Sequence, residues 1–171
     1  LQWERLAAQS ASQPQPAVGP NGDVYNLRTG YTLAAFDSEG DELWLFSDIH
    51  QSPHPDVGAD GTIYIRRHLN KLLALTPDGD LEWTYETQGI LGPPIVRPQA
   101  DQILMGSTLD FGESGVFIVV DSEGDEVWRQ VIPDEPGFGT YGQVFPSSRP
   151  RFTSDGTTAY IAGDIAGDNG S

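Results

Sequence analysis

An all-β chain built from repeated four-stranded antiparallel units is what the 171-residue sequence predicts, on three observations. Twenty glycines and 13 prolines punctuate it too densely for a helical bundle. No stretch of ten residues carries a helical period, whereas short alternating runs end at Asp-Gly turns. The tryptophans, Trp3, Trp44, Trp83 and Trp128, all stand at one position of a recurring unit, spaced 41, 39 and 45 residues apart. Four strands per unit, with a bulky aromatic fixed on the last, describe a β-propeller blade, whose radial stacking buries both faces of each sheet.

The units follow in order. Residues 1–15 are the tail of a preceding blade, marked by Leu1-Gln2-Trp3-Glu4. Residues 16–54 form a blade that opens at Pro16-Ala17-Val18 and ends in Asp37-Ser38-Glu39-Gly40-Asp41-Glu42-Leu43-Trp44. Residues 55–93 form the clearest one. Its strands are expected at Asp56 to Ala59, Thr62 to Arg67, Lys71 to Thr76 and Leu81 to Glu86, and Asp60-Gly61 and Asp78-Gly79 turn its outer hairpins. Residues 94–148 are a looser blade with an insertion at Ser107 to Gly115 and a long exit from Ile132 to Ser148. Residues 149–171 begin another blade at Pro150-Arg151-Phe152, Asp155-Gly156 and Tyr160. The count is fifteen strands, about 3.75 blades. The four tryptophans are assigned to packing between blades, where a buried indole contributes a few kcal/mol.

Composition narrows the function. With no cysteine there is no disulfide framework, thiolate nucleophile or Cys-ligated metal. Nine Lys+Arg against 25 Asp+Glu give a net charge of -16, and Lys71 is the only lysine, which disfavours binding to nucleic acid or anionic lipid. An acidic, lysine-poor surface suits an extracytoplasmic protein: periplasmic, cell-surface or secreted. No run of 18 apolar residues, no signal peptide and no initial Met is present, as expected of a mature or excised chain.

Strand order assigns the connections to two rims. Turns within the first and last hairpins of each blade share one rim, and the second-to-third turns and inter-blade linkers share the other. The turn rim gathers eleven acids: Asp37, Glu39, Asp41, Glu42, Asp78, Asp80, Glu82, Asp121, Glu123, Asp125 and Glu126. They read as a solvated face, with a cation or a basic partner as the alternative. The loop rim carries the long connections and the candidate partner-binding residues Arg66, Arg67, His68, Phe111, Phe138 and Tyr141. His50 and His54 have helical metal-pair spacing, but Pro53 and Pro55 exclude the helix. Asp164 and Asp168-Asn169-Gly170 offer a weak calcium loop without a closing Glu, so no cofactor is assigned.

Leu72-Leu73-Ala74-Leu75-Thr76-Pro77-Asp78-Gly79-Asp80-Leu81-Glu82-Trp83, with the opening Pro55 and Asp60-Gly61-Thr62-Ile63-Tyr64, resembles the repeat of pyrroloquinoline-quinone-type propellers. The resemblance runs from Leu1 to about Gly163. It implies a ring of seven or eight blades, of which this chain is a part, or, as a minor alternative, a four-bladed ring with one defective blade. It also implies either a quinone-dependent dehydrogenase or a non-catalytic scaffold such as the outer-membrane assembly lipoprotein. The dehydrogenases' vicinal cystine has no counterpart here, and no Asp aligns with their pocket base. Arylsulfotransferase propellers use a histidine among arginines, a composition found only at Arg66-Arg67-His68. The leading expectation is a non-enzymatic scaffold presenting its loop rim to a protein or glycan partner, or to the rest of its own propeller. The alternatives are a segment of an enzyme whose active site lies elsewhere, and a structural subunit of a surface assembly joined through its terminal strands.

Overall fold

The computed structural model describes residues 15–28, 31–49, 54–97, 102–109, 114–131, 144–145, 151–153, 158–160 and 164–165. Three four-stranded antiparallel sheets dominate it. The first joins β1 (Ala17–Val18), β2 (Val24–Arg28), β3 (Thr32–Phe36) and β4 (Glu42–Phe46) in sequence order. The second joins β5 (Asp56–Val57), β6 (Ile63–Arg67), β7 (Lys71–Leu75) and β8 (Leu81–Glu86). The third joins β9 (Ile95–Arg97), β10 (Gln102–Leu109), β11 (Ser114–Asp121) and β12 (Glu126–Val131). Strands β1, β5 and β9 are neighbours in turn, so the sheets fan as propeller blades do. Among the described residues, no helix is long and apolar enough to cross a membrane.

Side-chain alternation explains how both faces of a sheet are buried. Odd-numbered Ile63, Ile65, Leu73 and Leu75 of the second sheet pack with Tyr25, Leu27, Leu33 and Ala35 of the first. Even-numbered Tyr64, Leu72 and Ala74 face the third sheet's Ile103, Met105, Val116 and Ile118. Each linker adds one fully buried apolar residue between sheets, Ile49 in the first and Leu91 in the second. Both hold by the same bond, Ile49 N–H to the Tyr31 carbonyl at 2.8 Å and Leu91 N–H to the Leu69 carbonyl at 2.7 Å.

Every outer strand bulges at the same point. Ala35 pairs with Trp44 but Phe36 with Glu42, so Leu43 is the extra residue; Glu82 and Val127 are its counterparts. The position just before each tryptophan is thus left out of the ladder.

Two differences from the expected strands lie near the carboxyl end. Val144–Phe145 (β13), expected within a long exit loop, pairs antiparallel with Asp164–Ile165 (β16). Asp164, expected to start an Asp-rich loop, is therefore in a strand. Arg151–Phe152 (β14) and Ala159–Tyr160 (β15) form a hairpin, as a new unit requires. Trp3, His50, Phe111, Phe138, Tyr141 and Asp168-Asn169-Gly170 lie outside the described residues.

Candidate functional site

On the turn rim, local geometry repeats. In the last hairpin turn of each sheet the glycine N–H bonds back three residues, Gly40 to Asp37, Gly79 to Thr76 and Gly124 to Asp121, at 2.9–3.2 Å. Many of the acids have structural tasks there. Asp37 Oδ1 accepts the N–H groups of Glu39 (3.0 Å) and Asp41 (2.8 Å), and Asp121 Oδ1 accepts those of Glu123 (3.2 Å) and Asp125 (2.8 Å). Such side-chain-to-backbone turns explain why Asp opens these loops. Among the described residues no group of three metal-ligating side chains gathers.

Above these turns sit the tryptophans. Trp44 Nε1–H donates to the Pro77 carbonyl and Trp83 Nε1–H to the Ser122 carbonyl, both at 2.7 Å, in each case into the next sheet. A tyrosine backs each ring, Tyr25 and Tyr64 respectively, at 5.8 Å between centroids. A Cβ on Gly79 would lie 2.7 Å from the Trp44 ring, and one on Gly124 2.8 Å from the Trp83 ring. Trp128 is 48% exposed.

The outer strands add a clasp. Tyr85 Oη–H donates to Glu126 at 2.6 Å, and Arg129 donates to Glu126 at 2.7 and 2.8 Å and to Tyr85 Oη at 3.2 Å. Burial, aided by Glu126, pushes the Tyr85 phenol up to about 12. The Arg129 hydrogen bonds hold the Glu126 carboxyl below its usual range despite some burial.

The loop rim is built differently. Arg66, Arg67 and His68 are consecutive, but alternate strand residues face opposite ways, so the structure parts Arg66 from Arg67 and brings only Arg67 and His68 together. Arg66 turns toward the third sheet and donates to the Leu91 carbonyl, and burial lowers its pKa. Arg67 turns the other way and pairs with Asp48 in the linker after the first sheet. His68 Nε2 lies 3.8 Å from the same carboxylate. Arg28 and Lys71 are also paired, with Glu42 and with Glu86 at 3.3 Å. The rim is therefore not a bare cationic surface.

Around Asp48 the structure adds Tyr31 and Leu69, which the sequence did not single out, to Arg67 and His68, which it did. Tyr31, Asp48 and His68 all have left-handed backbones, φ 61°, 69° and 54°. Tyr31 is 51% exposed and Leu69 41%. Asn70, the residue most tolerant of that conformation in its turn, is instead used as a side-chain donor to Glu86 and to the Thr87 carbonyl, both at 3.1 Å. Gly30 beside Tyr31 was the available signal of a special turn, and nothing local marked Asp48.

No protein-family model and no curated protein matches the chain. Among solved structures it is similar to BamB from Moraxella catarrhalis, with a TM-score of 0.65 and 16% identity over 88% of this chain and 43% of that one. It is also similar to a protein of unknown function from Bacteroides caccae, with a TM-score of 0.61 and 14% identity over 96% of this chain and 61% of that one. The chain spans less than two thirds of the length of either structure. These likenesses show the propeller-type fold.

Proposed function

We propose that this chain is part of a non-enzymatic, extracytoplasmic binding propeller of the pyrroloquinoline-quinone-type repeat, which uses its loop rim to hold a protein partner. The contact surface is the patch at the junction of the first two blades: Tyr31, Asp48, Arg67, His68 and Leu69. The observation that carries the reading is the left-handed backbone at Tyr31, Asp48 and His68, beside the exposed Tyr31 ring and Leu69 side chain. A non-glycine residue there costs about 1–2 kcal/mol, and such outliers cluster where side chains must be presented. An exposed tyrosine, an apolar neighbour and an Arg-Asp pair match the composition of protein contact surfaces, with an aromatic anchor and polar rim. The likeness to BamB supports the scaffold, and the acidic, lysine-poor composition supports the location.

The test is affinity capture from a periplasmic extract of the source cells with the wild-type chain and with Tyr31→Ala/Leu69→Ser. A protein retained by the wild type and lost from the variant, with unchanged thermal unfolding, is the expected result. Equal retention by both would remove the patch from the interface. A quinone absorbance change with dye reduction on reconstitution would replace the scaffold reading with a dehydrogenase.

A further inference from the structure

The first hairpin turns of the first two sheets match bond for bond. Gly19 N–H donates to the Asp23 carbonyl at 2.8 Å and Gly22 N–H to the Gly19 carbonyl at 3.0 Å. In the second sheet Gly58 N–H donates to the Thr62 carbonyl at 2.9 Å and Gly61 N–H to the Gly58 carbonyl at 3.1 Å. Both turns end on a left-handed glycine, Gly22 at φ 91° and Gly61 at φ 94°. Two side chains differ: the second turn has Asp60 and Thr62 where the first has Asn21 and Asp23. Asp60 accepts the Thr62 N–H at 3.0 Å and the Thr62 hydroxyl at 2.9 Å. In the first turn Asn21 Oδ1 accepts the Asp23 N–H at 3.2 Å, and Asn21 Nδ2 donates to the Asp23 carboxylate at 2.6 Å. The turn thus collects around one exposed amide the parts its breakdown requires. The backbone nitrogen that follows Asn21 belongs to a glycine, so no side chain obstructs it, and a Cβ there would meet nothing closer than 3.8 Å. Attack by that nitrogen on the Asn21 side-chain carbonyl carbon closes a five-membered ring within one chain. The Asp23 N–H already lies on the oxygen where negative charge develops, and the Asp23 carboxylate already holds the nitrogen that must leave.

We propose that Asn21 is a site of spontaneous covalent modification, at which the folded chain converts the side-chain amide to a carboxylate through a cyclic imide. Gly22 N–H leaves the Gly19 carbonyl and gives its proton to the Asp23 carboxylate, and the nitrogen bonds to Asn21 Cγ. The Cγ–Nδ2 bond then breaks as Asp23 returns the proton, and the amide nitrogen departs as ammonia. Water adds to either carbonyl of the imide and opens it, to aspartate or to isoaspartate. The sister turn shows what the product meets. Asp60 occupies the same position, so a carboxylate fits the turn, but its partner there is the Thr62 hydroxyl. At position 21 the new carboxylate faces Asp23, and a 2.6 Å hydrogen bond becomes a contact between like charges. The isoaspartyl product also lengthens the backbone by one carbon, in a hairpin held by two strand pairs, Ala17 with Tyr25 and Val18 with Val24. Modification therefore loosens β1, the strand through which the first sheet meets β5 of the second.

The experiment incubates the folded chain at neutral pH and maps its peptides by mass spectrometry over time. The mass gain of amide-to-acid conversion is expected at Asn21, as a mixture of aspartate and isoaspartate, while Asn26 and Asn70, which precede Leu27 and Lys71, stay intact. Asn169-Gly170 falls in a different tryptic peptide and is read separately. Asp23→Asn keeps the backbone N–H and an acceptor for Nδ2 but loses the proton relay. It should slow conversion at least about tenfold in the folded chain and leave the rate in urea unchanged. Asn21→Asp, which installs the direct product, should lower the thermal midpoint by about 2–4 °C, and by less at high salt. Conversion of Asn21 in urea but not in the folded chain would overturn the proposal, because the Gly22 bond to Gly19 would then lock the nitrogen. Equal folded-state rates for the wild type and Asp23→Asn would overturn the part given to Asp23, and an unchanged midpoint for Asn21→Asp would overturn the loosening of β1.

Discussion

Among the described residues, the left-handed backbones on the turn rim are Gly22, Gly40, Gly61, Gly79 and Gly124, whereas those on the loop rim are Tyr31, Asp48 and His68. Both rims need the same backbone region to reverse the chain, and only glycine enters it without steric cost. The turn rim therefore sits near its conformational optimum and its side chains serve the turns themselves. Three described residues of the loop rim enter that region with a side chain and its steric cost.

Substitutions of opposite sign test that contrast. The largest effect is expected for Gly79→Ala, which combines a disfavoured φ with a Cβ 2.7 Å from the Trp44 ring. Denaturant titration should show a loss of about 3 kcal/mol, from about 1–2 for the backbone and a similar overpacking cost. Gly22→Ala isolates the backbone contribution, because its Cβ would meet nothing closer than Ser38 Cβ at 3.8 Å. A loss of about 1–2 kcal/mol is expected, and a loss equal to that of Gly79→Ala would mean the tryptophan contact contributes nothing. On the other rim His68→Gly should raise stability, by up to about 1 kcal/mol after the unfolded-state entropy of glycine is set against the relieved φ. A clear destabilisation would show that His68 is held there for the fold and not for a partner.

The smallest effect is electrostatic and belongs to the outer-strand clasp. Glu126 is depressed in the folded state, so its contribution is present above the unfolded value of about 4.3 and is lost as pH falls through the folded value. Tyr85 is raised to about 12, so its contribution is complete below about pH 10 and is lost as pH rises through that value toward 12. Thermal midpoints of Glu126→Gln should converge on wild type in acid, and those of Tyr85→Phe in alkali. Parallel pH curves would mean that neither group is linked to folding.

The sheets were legible in the sequence because the same residues recur at fixed spacing. Trp83 and Gly79 mark one side chain and one φ that all three sheets share, Tyr64 and Gly61 mark two that the first two sheets share, and the second sheet's strands fall within two residues of their expected ends. Of the rim patch, Arg67 and His68 were legible and Tyr31, Asp48 and Leu69 were not. Arg66 and Arg67 looked like one cluster because adjacency in sequence says nothing about the opposite directions of neighbouring strand residues. Asp48 became significant only through contacts with residues 19 and 20 positions away. The β13–β16 pair was hidden for a similar reason: two-residue strands leave no periodicity to read.

The bulge before each tryptophan has a consequence for how this architecture can change over time. Leu43, Glu82 and Val127 absorb one residue each and thereby set which face the next side chain takes. A one-residue insertion or deletion between Gly79 and Trp83 would turn the indole away from its carbonyl and undo a junction between blades. The last hairpin of each blade is therefore fixed in length, and at its turn glycine in side chain as well. The connections of the loop rim carry no such bulge, so a change of length there leaves the tryptophan's face unaltered.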